Sequence, residues 1–181
     1  QLQQKHNAIA ICAGAMNAVA LDIPGADLEG LVYGVDFMKD ANLGKPLSVG
    51  KDVVVIGGGY TAMDCSRTSL RHGAERVTIA YRRTRSELVV DEEELGETER
   101  EGVRMDFLVS PLELIGENGN ITGVRMIKNR LGEPDASGRR SPVPIEGSEF
   151  ILPADTVIPA VSQAAELGFL PVESTFEVAR G

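Results

Sequence analysis

The 181-residue chain has no tryptophan, two histidines and two cysteines. Aromatic side chains make up only 4 % of it, so aliphatic residues must fill the core. Cys12 and Cys65 lie far apart and form no Cys-x-x-Cys pair. That excludes a local redox disulfide and an iron–sulfur cysteine cluster. Both cysteines are expected to be small buried apolar residues. No apolar run reaches membrane-spanning length and no secretory signal pattern is present, so the expectation is a cytoplasmic protein with no membrane partner. Positive charge is the minority sign: 18 Lys and Arg against 27 Asp and Glu give a net charge of −9. Such a balance argues against nucleic acid as a partner. His6 and His72 belong to no His/Asp/Glu cluster at metal-ligand spacing, so no metal site is expected. His72 falls at a helix C-terminus, where the helix dipole favours an imidazole. Nucleophile-elbow patterns, internal repeats and low-complexity segments are also missing.

What is present is concentrated in one stretch, Lys51-Asp52-Val53-Val54-Val55-Ile56-Gly57-Gly58-Gly59-Tyr60-Thr61-Ala62. A β-branched run stops at three glycines and a helical pattern follows at once. This is the strand, tight turn and helix N-terminus of a phosphate cradle. Gly57 lets the chain turn off the strand, and Gly59 lets the backbone approach a pyrophosphate. Ala62 allows close packing of helix on sheet. A glycine triplet alone also occurs in ordinary turns; the strand before it and the helix after it favour the cradle. Along the helix Ala62, Cys65, Ser66, Ser69 and Leu70 share one small-residue face, while Arg67 and Arg71 are expected in solvent. Gly73 is the expected C-terminal cap, and Arg76-Val77-Thr78-Ile79-Ala80-Tyr81 is a second strand.

The end of that second strand selects the nicotinamide cofactor. An NAD site places an acidic residue there for the ribose 2′-hydroxyl. Here Arg82 and Arg83 stand there, with Arg85 close behind. Guanidinium forks suit a 2′-phosphate, so NADP(H) is expected; a solvated basic turn is the alternative.

Residues 57–65 followed by Tyr81-Arg82-Arg83 resemble the NADPH domain of the glutamate synthase small (β) subunit and its FAD- and NADPH-dependent relatives. These belong to the flavoproteins with two dinucleotide folds, thioredoxin reductase among them. Residues 8–15 are similar to that family's Ala-Thr-Gly-Ala strand, and Ile23-Pro24-Gly25 to the turn after it. Residues 132–140 are similar to its hairpin, and residues 154–163 to its strand leading back to the flavin domain. Departures are Cys12-Ala13 for Ala-Thr, Tyr60 for Asn or Asp, Leu88-Val89-Val90 for Met-Pro-Ala, and Ser162 for Gly.

The resemblance implies an α/β fold: a Rossmann-like parallel sheet with an antiparallel β-meander, the nicotinamide domain of a two-dinucleotide-fold flavoprotein. Remnants of the FAD domain are expected at both ends. The implied division is 1–43 as FAD-domain remnant, 44–162 as NAD(P)H-binding domain and 163–181 as the return to the FAD domain. No second glycine fingerprint precedes Lys51, so the chain reads as a piece that binds NADPH and is inactive without its FAD domain. The implied function is an oxidoreductase passing a hydride between NADPH and FAD. The implied electron partners are iron–sulfur centres or a large subunit. Gly57, Gly58, Gly59, Tyr60, Thr61 and Ala62 would hold the pyrophosphate, and Arg82 and Arg83 the 2′-phosphate. Ala160 and Val161 would lie by the nicotinamide. Hydride transfer needs no acid or base, so no catalytic residue is assigned. The alternatives are a non-catalytic dinucleotide sensor, a thioredoxin reductase-like flavoprotein without the disulfide, and an NAD-linked dehydrogenase with its own substrate site.

Parallel strands are expected around Val53, Val77, Val103 and Val157, with a short helix near residues 34–42 and a linker over 44–50. The acidic run from Asp91 reads as a crossover helix with a solvated face, its acids suited to the helix N-terminus. Residues 111–116, 120–129 and 148–152 read as a meander, and Asn118-Gly119 marks its first hairpin. The Pro- and Gly-rich stretch 132–147 is expected to be an exposed loop. Arg139-Arg140 is read as its solvated tip, with a second phosphate contact as the lesser alternative.

Overall fold

A computed structural model describes residues 4–12, 14–134, 138–166 and 168–169. The chain begins with β1 (Asn17–Ala18), α1 (Gly34–Asn42), β2 (Asp52–Ile56), α2 (Tyr60–Arg71) and β3 (Arg76–Tyr81). A 3₁₀ turn at Arg85–Glu87 leads to α3 (Glu92–Arg100) and β4 (Arg104–Phe107). Then follow β5 (Val109–Glu117), β6 (Asn120–Pro134), β7 (Arg140–Pro144), β8 (Phe150–Pro153), β9 (Thr156–Pro159) and β10 (Gln163–Ala164).

Three layers result. The middle layer is a parallel sheet in the order β4-β3-β2-β9. Its strands β2, β3 and β9 are rich in β-branched residues and mostly buried, as parallel strands covered on both sides must be, while the edge strand β4 is half-exposed. Val53, Val55, Val77, Ile79 and Ile158 join a core with Phe37 of α1, Ala62, Met63 and Cys65 of α2, and Leu95 of α3. Alternate residues Val54, Ile56, Ala80 and Val157 join a second core with Leu114, Ile121, Val124 and Met126 of the meander. The period of two along each strand thus divides the side chains between helices and meander.

Small residues let α2 lie close to the sheet. Ala62, Cys65, Ser66 and Ser69 are fully buried. The two serine hydroxyls donate back to the helix carbonyls of Met63 and Cys65, at 2.8 Å each. Arg67 departs from expectation. It lies under α3, its side chain only 18 % exposed, and its fork reaches Glu94, Glu97 and Glu101 at 2.7–3.1 Å. Those carboxylates come from an acidic helix that was read as a solvated face, and they draw the cation inward. Arg71 is exposed and pairs with Glu101.

The meander turns at Asn118 (φ 52°) and Gly119 (φ 83°), the type I′ geometry that Asn-Gly favours. The stretch from Gly132 is not the exposed loop expected. β6 continues to Pro134 and pairs antiparallel with β7, Asn129 facing Pro144 and Leu131 facing Pro142. Prolines hide this arm from a pattern reading, yet among the described residues β7 pairs only with β6, and an edge strand tolerates them. The arm's tip, including Asp135, lies outside the described residues.

The N-terminal segment also differs. Residues 8–12 form no strand, and Ile9 and Ile11 are exposed. A strand needs a ladder, and among the described residues none lies alongside. Cys12 is exposed here, not buried as expected, while Cys65 is buried; Ala13 lies outside the described residues. β1 pairs antiparallel with β10, so the segments before and after the sheet run side by side. Most of the stretch from 167 to 181 lies outside the described residues.

Burial pushes the Cys65 thiol up to about 12. The unfolded thiol ionises near ~8.5, so its contribution to stability is complete below that pH and is lost as pH rises toward the folded value. With a disulfide reagent at pH 8, one thiol per chain should react at once and the second only after denaturation. Two fast thiols would place Cys65 outside the core.

Candidate functional site

The carboxyl ends of β2, β3 and β9 meet at one edge of the sheet. From β2 the chain passes to β3 on one side, and β9 lies on the other. That is the crevice at which open parallel sheets bind ligands.

Three glycines occupy it, each for a different reason. Gly57 has φ 149°, and a Cβ there would collide with the Ala160 carbonyl. Its N–H donates to Ala80 O at 3.1 Å while Ala160 N–H donates to Ile56 O at 2.8 Å, fixing the turn between the strands. A Cβ on Gly58 would strike the Tyr81 ring. Gly59 differs: φ is −105°, and a Cβ would meet only Val89 Cγ2 at 3.9 Å. The protein itself leaves room for a side chain there.

Gly59 is also the N-cap of α2, with no side-chain cap and no acidic residue in the first turn. The first amides of a helix have no intrahelical acceptors, and the dipole adds positive potential. In α3 the protein supplies the anion itself: Asp91 accepts from Glu94 N at 2.8 Å and the first turn holds Glu92, Glu93 and Glu94. Tyr60 links the two helices, its hydroxyl donating to Asp91 Oδ2 at 3.1 Å with the side chain half exposed. The Glu94 amide, then the Tyr60 hydroxyl, hold the Asp91 carboxyl below the usual range.

Two hollows flank Gly59. The larger, about 530 Å³, is walled by Gly57, Gly58, Arg82, Arg83, Ser110 and Arg139 among others. The smaller, about 230 Å³, is walled by Thr61, Val35 and the segment Pro159 to Gln163. Both share Gly59, Ala160 and Val161. Ala62, by contrast, is fully buried under the helix.

The two arginines diverge. Arg82 is exposed, and its guanidinium has no hydrogen-bond or ion-pair partner among the described residues. Its pKa is drawn down by desolvation first, then by Arg83 and Arg139; an arginine stays charged regardless. Arg83 is 6 % exposed, and its Nε donates to the Arg140 carbonyl at 2.7 Å, anchoring the β6–β7 arm. Arg85 turns away to Glu92 and Glu99. Arg139, read from sequence as a solvated tip, stands in the wall of the larger hollow. Ser110 carries no signal in the sequence, because it arrives on the meander; the sequence offers Arg139 as a phosphate contact only as the lesser alternative to a solvated tip. Among the described residues no group of three His, Cys, Asp or Glu could hold a metal.

The signature of the family described as pyridine nucleotide-disulphide oxidoreductase matches residues 2–166. The chain belongs to this family. Its relatives include the NADPH-Fe(3+) oxidoreductase subunit beta of Geobacter sulfurreducens, 46 % identical over 175 residues, 94 % of this chain and 26 % of that protein. The glutamate synthase [NADPH] small chain of Azospirillum brasilense is 38 % identical over 183 residues, 94 % of this chain and 36 % of that one. The chain therefore spans between a quarter and just over a third of these relatives. Among solved structures, FprA of Mycobacterium tuberculosis in complex with NADPH superposes with a TM-score of 0.72 at 22 % identity, covering 90 % of this chain and 51 % of that one. That likeness is one of fold. A pyridine nucleotide-disulphide oxidoreductase domain with a Rossmann-like sheet and antiparallel meander is what both the sequence pattern and the coordinates describe.

Gly59→Val should leave the thermal midpoint within a few degrees, because a Cβ there meets nothing closer than Val89 Cγ2 at 3.9 Å, yet cost at least about tenfold in dinucleotide affinity. Unchanged affinity in a calorimetric titration would remove Gly59 from the ligand's path. Gly58→Val should destabilise the fold itself.

Proposed function

We propose that the chain is the NADPH-binding domain of a flavin-dependent oxidoreductase of the glutamate synthase small-chain type. The observation that carries this is the open N-terminus of α2 beside Arg82, whose charge no described residue neutralises. A phosphorylated dinucleotide fits both features: a pyrophosphate at the amides, a 2′-phosphate at the guanidinium. The match is on this chain's own atoms, since Gly59 leaves open the space a Cβ would take.

On this reading Gly57, Gly58, Gly59, Tyr60, Thr61 and Ala62 form the pyrophosphate cradle. Gly58 and Gly59 line it, and Ala62 sets the depth of α2. Arg82 holds the 2′-phosphate, with Arg139 in the wall of the same hollow. Arg83 contributes chiefly by holding the arm that carries Arg139. Ala160 and Val161 bound the smaller hollow on the nicotinamide side. When bound, NADPH supplies a hydride from its nicotinamide ring. The residues here bind, orient and exclude water, and none is needed as acid or base. FAD in a domain of the same protein is the proposed acceptor, with residues 1–43 and 163–181 belonging to that domain and 44–162 to the nucleotide-binding one. Onward transfer to an iron–sulfur centre or partner subunit is supported by relatives described as a beta subunit and a small chain. The proposed compartment is the cytoplasm.

The test is a paired titration with NADPH and NADH. Arg82→Glu should weaken NADPH at least about thirtyfold while changing NADH less than about threefold. An equal loss for both nucleotides would defeat the assignment of the 2′-phosphate to Arg82, and no binding of either by the folded wild type would defeat the reading as a whole.

A further inference from the structure

One buried amide joins the two walls of the larger hollow. Asn129 of β6 is 4 % exposed, and its Nδ2 lies 3.3 Å from the Arg82 carbonyl and 2.8 Å from Ser110 Oγ. A carbonyl oxygen can only accept, so the amide must turn its NH₂ toward Arg82. The reverse orientation would set two carbonyl oxygens against each other. Once so turned, its second hydrogen meets Ser110 Oγ, which therefore accepts. The Oδ1 atom is left buried with no partner among the described residues. An orphaned acceptor is costly and calls for a reason. The reason lies in what the orientation does to Ser110.

A serine hydroxyl has one proton to give. With the Asn129 amide donating to it, Ser110 must send that proton elsewhere. Among the described residues no acceptor receives it. Ser110 is half-buried, and it lines the hollow together with Arg82, Arg83 and Arg139. The hollow that Ser110 lines carries three arginines against one carboxylate, Asp22.

We infer that Ser110 is a phosphate-directed hydrogen-bond donor in the adenosine half of the groove, and that Asn129 is the positioning residue that gives it this polarity. The inference rests on the dinucleotide reading above and deepens it: the ligand group is a phosphomonoester on the adenosine ribose. Three guanidinium groups would bind many anions by charge alone. A hydroxyl with a fixed donor direction adds geometry, and charge-assisted bonds of this kind are the strong ones. Because Asn129 also holds the Arg82 carbonyl, a single side chain sets the spacing between the end of β3 and the meander.

The experiment measures dissociation constants of adenosine 2′,5′-bisphosphate, NADPH and NADH for the wild type, Ser110→Ala, Ser110→Thr, Asn129→Ala and the double variant Ser110→Ala with Asn129→Ala. Ser110→Ala should weaken the bisphosphate and NADPH about tenfold and change NADH less than twofold. Ser110→Thr keeps the hydroxyl and should restore binding to within about threefold. If Asn129 acts through Ser110, the double variant should bind no more weakly than Asn129→Ala alone. Additive losses would overturn the positioning role. Should Asn129→Ala fail to fold, the Ser110 pair alone still decides the donor. Unchanged NADPH affinity in Ser110→Ala, or equal loss for NADPH and NADH, would overturn the inference while leaving the dinucleotide reading intact. A wild type that binds neither nucleotide would overturn both.

Discussion

A helix that starts on a glycine must find acceptors for its first amides outside itself. Everything at this site depends on α2 doing so at the carboxyl end of β2. Burial of Ala62, Met63 and Cys65 fixes the helix against the sheet. The Gly57 and Ala160 amides fix the turn that feeds it. The result is a rigid mount with an exposed positive end. The neighbouring helix shows that the fold can neutralise such an end, for Asp91 and three glutamates do it at α3. At α2 no residue is spent that way. The difference between two adjacent helices of one protein is a stronger pointer to an anionic ligand than the glycine pattern by itself.

Charge follows the same division. The net charge of −9 would repel a phosphorylated ligand at long range. Screening confines that repulsion to about 8 Å at physiological salt, so attraction has to be local. Arg67, Arg71, Arg76, Arg85, Arg104 and Arg125 each meet a carboxylate. They are structural or surface pairs. The lining of the larger hollow contains Arg82, Arg83 and Arg139, with Asp22 as its one carboxylate. The acidic residues of α3 thus serve the site indirectly, by occupying Arg67 and Arg85.

Much of this was legible in sequence, and the rest was not, for physical reasons. The cradle was legible because its geometry is local: β-branched strand, glycines and helix are contiguous. The parallel strands could be read from apolar runs, and the first hairpin from Asn118-Gly119, whose φ values only a few residue types accept. Long-range outcomes were not legible. Arg82 and Arg83 are neighbours in sequence, but in the bend after β3 Arg82 is exposed while Arg83 is buried and bonded to the Arg140 carbonyl of the arm, a contact 57 residues away in sequence. Arg67 looked solvent-facing until α3 arrived over it. The prolines of β7 disguised an edge strand as a loop. Residues 8–15 and Cys12 carried a strand's composition, but a strand is a property of pairs, and no partner was given by composition alone.

Asn129 shows why such long-range features matter to function and are hard to read. Nothing around Lys128-Asn129-Arg130 marks a functional residue, and a polar side chain in a strand is ordinarily assigned to the solvent face. Here it lies inside, between the end of the parallel sheet and the meander, where its two N–H groups find acceptors 47 and 19 residues away in sequence. A fold selected for stability alone would replace a half-satisfied buried amide by an apolar side chain, since an orphaned Oδ1 weakens the core. Keeping it makes sense if the direction of one hydroxyl proton is worth more to the protein than that stability. The same logic applies at Gly59, where the fold leaves room for a side chain and none is present. In both places the surroundings alone do not account for the residue.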